Sequence, residues 1–499
     1  MTNIPFQLEI SPALPAIPNV YGASDYREFR SVLIKIDNIL IHSGLERQLI
    51  NQEFNNWLSG HDQKDKRCCQ KQQAFHRKVL RYALRCNIAR HLTGESLRDF
   101  SIRLTDSNLF QWFVGISDFE LCKASSKSSL DRYNKYFDAA ILDEQIKNWL
   151  AGLSDLTKAN NIGLNDAISF SSVFMDSTCI KANIHFPTDW ILLRDAARSL
   201  ILSIKTIRSQ GLKHRMIEPA ILMRLMNQLC IKMTHTRRRK DSKKKRKATL
   251  RQMKTLSRCI EKHAKRYKVM LQNHWEKTDW SLAEAQQVIR RIDNILDQLP
   301  NAIKQAHERI IGERQIASKD KILSLYEPDI HVIVRGKAGN EVEFGQGLLL
   351  CEQINGIIID WQLFKNQPPS DSKILQDSVM RLEKNYGLLD SMCTDRGFDS
   401  KQNQTFIKER NIYNAVCPRN PKQLQESLQD SRFRLLQTRR GQTEARIGIF
   451  KNAFLGRPLK TKGFINKQLT VSWCVLTHNL WVVARMALAD EQSILKKAA

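Results

Sequence analysis

From residue 26 to residue 150, apolar side chains recur at helical spacing, as in Phe29, Leu33, Ile36 and Leu40. That period predicts a mainly helical region, while residues 1–25 carry no period and read as an irregular leader. Two segments have the form of a helix start, Ser96-Leu-Arg-Asp99 and Ser128-Ser-Leu-Asp131. In each, the serine oxygen is expected to take an orphan backbone N–H. The second runs on through Arg132, Tyr133 and Lys135, a basic and aromatic face. Two short helices joined by a turn fit a helix-turn-helix that reads DNA, and they fit a plain helical bundle equally.

The texture changes at Ile168–Ile180, where Ser172-Val-Phe-Met-Asp176-Ser-Thr-Cys-Ile is short, β-branched and apolar. It predicts a buried strand with Asp176 near its end. Residues 188–318 return to a helical, strongly basic pattern. Strand texture resumes in His331–Val334, Val342–Cys351 and Gly356–Phe364, with Gly339-Asn340 as a hairpin turn. A helix over 370–385, capped by Ser370 or Asp371, precedes short strands at Leu388–Thr394 and Asn411–Cys417. Residues 435–453 and 466–488 read as helices, the latter with Trp473, Leu476, Leu480 and Trp481 on one face. The expected fold is α/β: a catalytic domain over 165–487, a basic helical insertion over 188–318 within it, and a helical N-terminal region over 1–150.

Charge narrows the function. The chain has 499 residues and a net charge of +28, with a pI of about 9.7, an excess that favours a polyanionic partner. Nine of the eleven residues Arg237–Lys247 are Lys or Arg. Such a run cannot enter a core, so Arg237, Arg238, Arg239, Lys243, Lys244 and Lys245 are expected to contact phosphates. An anionic membrane is the rival, but no apolar stretch reads as reaching the roughly 18 residues of a bilayer span. The proline-broken N-terminus reads as neither signal nor transit peptide. Eleven scattered cysteines without a Cys-x-x-Cys pair fit reduced thiols, hence a cytoplasmic, nucleoid-associated protein. The twelve histidines show no zinc spacing, and no P-loop or G-x-G-x-x-G occurs.

Three acids stand out by context. Asp176 lies in one strand. Asp395 ends another and is followed by the turn Arg396-Gly-Phe-Asp399-Ser400; Glu444 lies in a helical stretch. Carboxylates on separate elements suit a two-metal phosphoryl-transfer site, because hard oxygen ligands hold Mg²⁺ or Mn²⁺ while leaving room for the reacting oxygens.

Met175-Asp176-Ser-Thr, Thr394-Asp395-Arg-Gly-Phe-Asp-Ser and the spacing of Arg440, Glu444 and Lys451 resemble the three motifs of DDE-type transposases of bacterial insertion sequences, which carry an RNase H-like core. Asn183–Asp189 resembles their ISNCY group. The resemblance covers roughly residues 168–485 and departs from the family at Gln437, where many members have a tyrosine. It implies two Mg²⁺ or Mn²⁺ ions on Asp176, Asp395 and Glu444. It also implies DNA contacts from Arg440 and Lys451 on one helix face, with Arg396 and Lys181 as lesser contacts. The implied activity is cleavage and 3′-OH strand transfer on double-stranded DNA, both terminal inverted repeats and target, by a dimer on DNA. An RNase H-like nuclease without strand transfer, or an inactive nucleic-acid-binding protein from a decayed element, are the alternatives.

Overall fold

Among the described residues, the apolar period of the N-terminal region winds into eight helices: α1 (Ser24–His42), α2 (Leu45–Asp62), α3 (Gln70–Thr93), α4 (Leu97–Asp106), α5 (Asn108–Val114), α6 (Lys127–Tyr133), α7 (Ala139–Gly152) and α8 (Leu156–Asn161). The computed structural model describes residues 17, 19, 21–62, 70–116, 124–236, 241–337 and 340–498. Ser96 caps α4 by accepting the Asp99 N–H, as the sequence predicts. The cap of α6 is instead Ser126, which accepts the Ser129 N–H. Four serines between 125 and 129 offer several overlapping cap frames, and the helix starts two residues earlier than expected. Buried Arg85 ties this region together, reaching Glu46 and Asp37 at 2.6 Å each and the Phe113 carbonyl at 2.6 Å.

After α8 come β1 (Ser172–Lys181), four long helices α9 (Asp189–Ser209), α10 (Pro219–His235), α11 (Ser242–His274) and α12 (Leu282–Ala306), and strands β2 (His331–Lys337), β3 (Asn340–Gln353) and β4 (Ile358–Leu363). The chain ends with α13 (Asp371–Tyr386), β5 (Ser391–Thr394), α14 (Lys401–Glu409), β6 (Tyr413–Val416), α15 (Pro421–Ser427), α16 (Ser431–Ile449) and α17 (Phe464–Ala498). The protein is thus α/β with one mixed sheet in the order β2-β3-β1-β5-β6, with β4 also paired to β3. Strands β1, β5 and β6 are parallel neighbours, whereas β3 runs antiparallel to β2 and β4. Lys337 pairs with Asn340, so Asn340 belongs to a strand; Gly339, expected in the turn, lies outside the described residues.

The chain divides into two compact units. The first comprises residues 1–180, 347–364 and 368–499; the second comprises 181–346 and 365–367. The second is wider than the helical block read from sequence, since it also takes in β2 and the first half of β3. Its core is the apolar seam of α9 to α12, including Leu193, Ile204, Met253, Tyr267 and Ile292.

The first unit does not segregate the N-terminal helices from the sheet. One core runs from Leu33, Leu84 and Phe113 through Met175 and Met392 to Trp473 and Leu476. The reason is α17, which is buried on most sides and packs on α1, α3, α7 and β4; a helix apolar all round needs cover all round. Within it, Phe464–Ile494 holds an 18-residue window of mean hydropathy 1.2, so among the described residues one helix is long and apolar enough to cross a membrane, contrary to the sequence reading. Of that window 72% is buried inside the protein, the pattern of a core helix.

Candidate active site

Alternation along the strands decides which side chains meet above the sheet. Phe174, Cys393 and Ala415 share one face and are covered by Phe433 and Leu436 of α16. Two residues beyond Phe174 is Asp176, and two beyond Cys393 is Asp395, so both acids rise on the face that α16 covers. The parallel ladder pairs Ser172 with Ser391 and ends at Met175 with Thr394. The two aspartates therefore follow the last pair in register, on neighbouring strands about 4.8 Å apart. Asp176 lies midway along β1 (Ser172–Lys181) rather than near its end; what ends beside it is the pairing with β5. This is also where the strand order reverses, with β3 on one side of β1 and β5 and β6 on the other, the crevice where open α/β sheets bind ligands.

The turn after β5 is built by its own sequence. Asp395 Oδ1 accepts the Gly397 N–H at 2.8 Å, which starts a 3-10 turn over Arg396–Phe398. A Cβ on Gly397 would stand 2.7 Å from Asp371 Oδ2 and 2.9 Å from Asp395 Oδ1, so only glycine lets the two carboxylates approach that backbone. Phe398 is buried. Asp399 accepts from the Arg419 N–H at 2.8 Å and from Gln404 Nε2 at 2.7 Å, and Ser400 caps α14.

Helix α16 brings the third acid. Gln437 Nε2 donates to the Thr394 carbonyl at 3.2 Å and to the Ala415 carbonyl at 2.7 Å, pinning the helix over the ends of β5 and β6. Its Oε1 accepts from Arg440 Nε at 3.1 Å, and Arg440 Nη1 donates to Glu444 Oε1 at 3.1 Å. Residues 437, 440 and 444 are spaced by three and four, one helical stripe aimed at the aspartates. Gln437 thus fills the tyrosine position with a strut that holds Arg440. Gln437→Ala should cost about 1–3 kcal/mol of stability, because two carbonyls lose their donor. Chemical denaturation checks this; an unchanged midpoint would mean the strut is dispensable.

Asp176 feels the other two acids. Burial pushes the Asp176 carboxyl up to about 7, reinforced by the charges of Asp395 and Glu444, while the Ser177 N–H and Arg440 pull the other way. A site that crowds like charges favours a cation or a proton. By donor type the residues fit a hard divalent ion, all three being carboxylates. The arrangement is open, however: among the described residues no three His, Cys, Asp or Glu side chains stand close enough together to hold an ion. Glu444 is held off by Arg440, its own side chain more than half exposed.

Other predicted residues fall elsewhere. Lys451, expected to contact DNA, is buried and donates to Thr178 Oγ1 at 2.9 Å. After Ile449 the helix widens into a π-turn over Phe450–Leu455, which carries the lysine down against β1. Lys181 pairs with Glu343 at 3.4 Å, and Arg396 is exposed. In the second unit Lys243, Lys244 and Lys245 stand exposed in the first turns of α11. Glu313 accepts Lys243 at 3.3 Å and Lys247 at 2.8 Å, which holds its carboxyl below the usual range. Arg237, Arg238 and Arg239 lie outside the described residues.

Sequence reading missed Glu352 of β3. It is buried, and its Oε1 accepts from Thr443 Oγ1 at 2.7 Å, Arg439 Nη2 at 2.9 Å and Arg446 Nη1 at 3.2 Å. This clamps the flank of α16 next to the Glu444 stripe. A signal was present: a lone acid within the apolar run Leu348-Leu-Leu-Cys-Glu352 requires a buried counter-charge. Compared with known proteins, the chain matches no family model, no curated protein and no solved structure.

Proposed function

We propose that this chain is a DDE-type DNA transposase, that its sheet and α16 form an RNase H-like catalytic core, and that Asp176, Asp395 and Glu444 are the catalytic acids. The observation that carries the reading is the register of β1 and β5, which sets two aspartates side by side at the switch point of the sheet, beneath a helix that presents a glutamate. Residues 219 positions apart in sequence meet there, and a chance pair of surface acids has no such mount.

Asp176 and Asp395 would hold divalent ions, with Glu444 joining when Arg440 turns to a phosphate. Bound Mg²⁺ or Mn²⁺ would activate the attacking oxygen and neutralise the departing one. Asp176 and Asp395 sit on backbone fixed by the sheet, so their orientation costs little ordering entropy. Arg440, between Gln437 and Glu444, places a fixed positive charge beside the reacting phosphodiester. Water attack breaks the P–O3′ bond and frees a 3′-OH. That hydroxyl then attacks a target phosphorus and displaces the target strand's own 3′ oxygen. The net charge of +28 and the exposed lysines of α11 support a DNA partner. Joining two ends calls for two copies on the DNA.

The test is incubation of the full chain with Mn²⁺ and DNA carrying the element's ends, followed by mapping of cut and joined strands. Metal-dependent nicks at the ends with joined products are expected. Cutting without joining would leave a nuclease, and a folded protein that never cuts would end the enzymatic reading.

A further inference from the structure

Away from the carboxylates, the first unit carries an open groove of about 950 Å³ between the end of α3, the starts of α4 and α6, and the segment Phe454–Thr470. Arg90, Arg98, Lys127, Arg457, Lys460 and Lys462 line it. Three carboxylates also line it, but each is engaged: Asp131 with Lys135 at 2.8 Å, Asp99 with Ser96 at 2.7 Å, and Glu95 with Arg103. Lys135 also lines the groove, so seven Lys or Arg stand against three acids, and the balance of the lining is positive.

Arg90 makes this more than a basic surface. Its Nη2 lies 2.6 Å from His91 Nε2. His91 is fully buried, and burial together with Arg90 holds its pKa well below the ordinary value, so the ring is neutral. Its Nε2 therefore accepts from Arg90, and its Nδ1–H faces Cys474 Sγ at 3.2 Å and the Phe454 carbonyl at 3.5 Å. The imidazole fixes the guanidinium without neutralising it. Arg90 Nε is out of contact with solvent and has no hydrogen-bond partner among the described residues. Burial pushes the Arg90 pKa down, against the opposing pull of Cys474 and Asp131. Arg90 lines the groove, and a guanidinium there offers charge-assisted hydrogen bonds to an anionic oxygen. Gly94 closes the floor: a Cβ there would meet the Ala453 carbonyl at 2.7 Å.

We propose that this groove is a binding site for the phosphodiester backbone of a nucleic-acid strand, with Arg90 as its seated anchor and Lys460 and Lys462 as its outer contacts. The helical rod that carries Glu444 ends at Leu455 in the groove wall. Eleven residues at the α-helical rise of 1.5 Å would span roughly 16 Å, and the wider π-turn shortens this, so the groove wall lies within about five nucleotides of a strand at 3.4 Å each. A strand held in the groove is thus held a few nucleotides from the acids. The inference uses the groove alone, and binding without metal measures it separately from cleavage.

The experiment is titration of a fluorescent 30-base-pair duplex with the full chain, without divalent ions, across a salt series. Lys460 and Lys462 are exposed, so the double variant K460Q/K462Q should fold normally. It should bind roughly tenfold more weakly, with the slope of log affinity against log salt reduced by about two. Arg90→Gln, checked for an unchanged circular dichroism spectrum, should weaken binding comparably. Wild-type affinity and slope in K460Q/K462Q would overturn the proposal, as would a wild-type chain that binds no DNA. A last arm adds inorganic phosphate at constant ionic strength. Displacement no greater than by chloride supports a strand site; selective displacement by phosphate would mean a free-anion pocket and overturn it.

Discussion

Asp176→Asn is expected to abolish metal-dependent strand cleavage while raising the stability of the protein at neutral pH. Losing one ligand of the ion pair should remove about 4 kcal/mol of transition-state stabilisation, roughly a thousandfold in rate. The stability gain follows from the raised carboxyl of Asp176, pushed up to about 7 by burial and by Asp395 and Glu444. A carboxyl whose folded-state pKa is raised binds a proton more readily folded than unfolded, so acid favours the folded state. The stability it subtracts is absent below the ordinary aspartate range near 4, grows between about pH 4 and pH 7, and is complete above. Asparagine carries no such charge. The variant should be more stable than the wild type at pH 8, by on the order of a few kcal/mol at most, and its melting temperature should approach that of the wild type at pH 4. Mn²⁺ at pH 8 should stabilise the wild type and leave the variant unmoved. Thermal melts at the two pH values, with and without Mn²⁺, decide this. A variant that cuts at the wild-type rate would refute the assignment of Asp176, and identical pH dependence in both proteins would show that its carboxyl is not strained.

Glu352→Ala should cost about 3–5 kcal/mol, the usual penalty for breaking a buried ion pair from one side. Arg439 and Arg446 lose their shared counter-charge, and Thr443 loses its acceptor. Arg439 keeps its bonds to the Ile354 and Gln353 carbonyls, and Arg446 is partly exposed, so the lower end of that range is expected. Glu352→Gln keeps an oxygen for Thr443 and should lie between. Because the clamp holds α16 over the sheet, cleavage should fall through kcat with KM little changed. A denaturation midpoint close to that of the wild type in Glu352→Ala would mean that α16 is held by its Phe433 and Leu436 packing and the Gln437 strut, without the clamp.

Strands β1, β2 and β4 were legible because they are rich in β-branched and apolar residues and lie between turn residues. Asp176, Asp395 and Glu444 stood out in the sequence because their neighbours resemble known motifs; register places the two aspartates on adjoining strands, while Glu444 stands off, paired with Arg440. Lys451 was misplaced because helical spacing assumes a uniform helix, whereas the chain widens into a π-turn one residue before it. The shared core of the N-terminal helices and the sheet was hidden for another reason. It rests on contacts such as that of α1 with α17, over 400 residues away in sequence, and local pattern carries no information at that range. Glu352 and Arg90 were passed over as ordinary charged residues. Their meaning lies in burial, which one strand or one helix cannot reveal.

Ser172 and Ser391, which open the β1–β5 ladder, are separated by 219 residues. During synthesis at roughly 5–20 residues per second, about ten to forty seconds pass before β1 can meet that partner. For that interval Asp176 belongs to an unpaired strand edge and Asp395 does not yet exist. A nascent or truncated chain therefore carries the basic helices of the second unit without the assembled carboxylates. If the proposed function holds, such a product would bind DNA without cutting it, and premature termination would turn the enzyme into its own competitor.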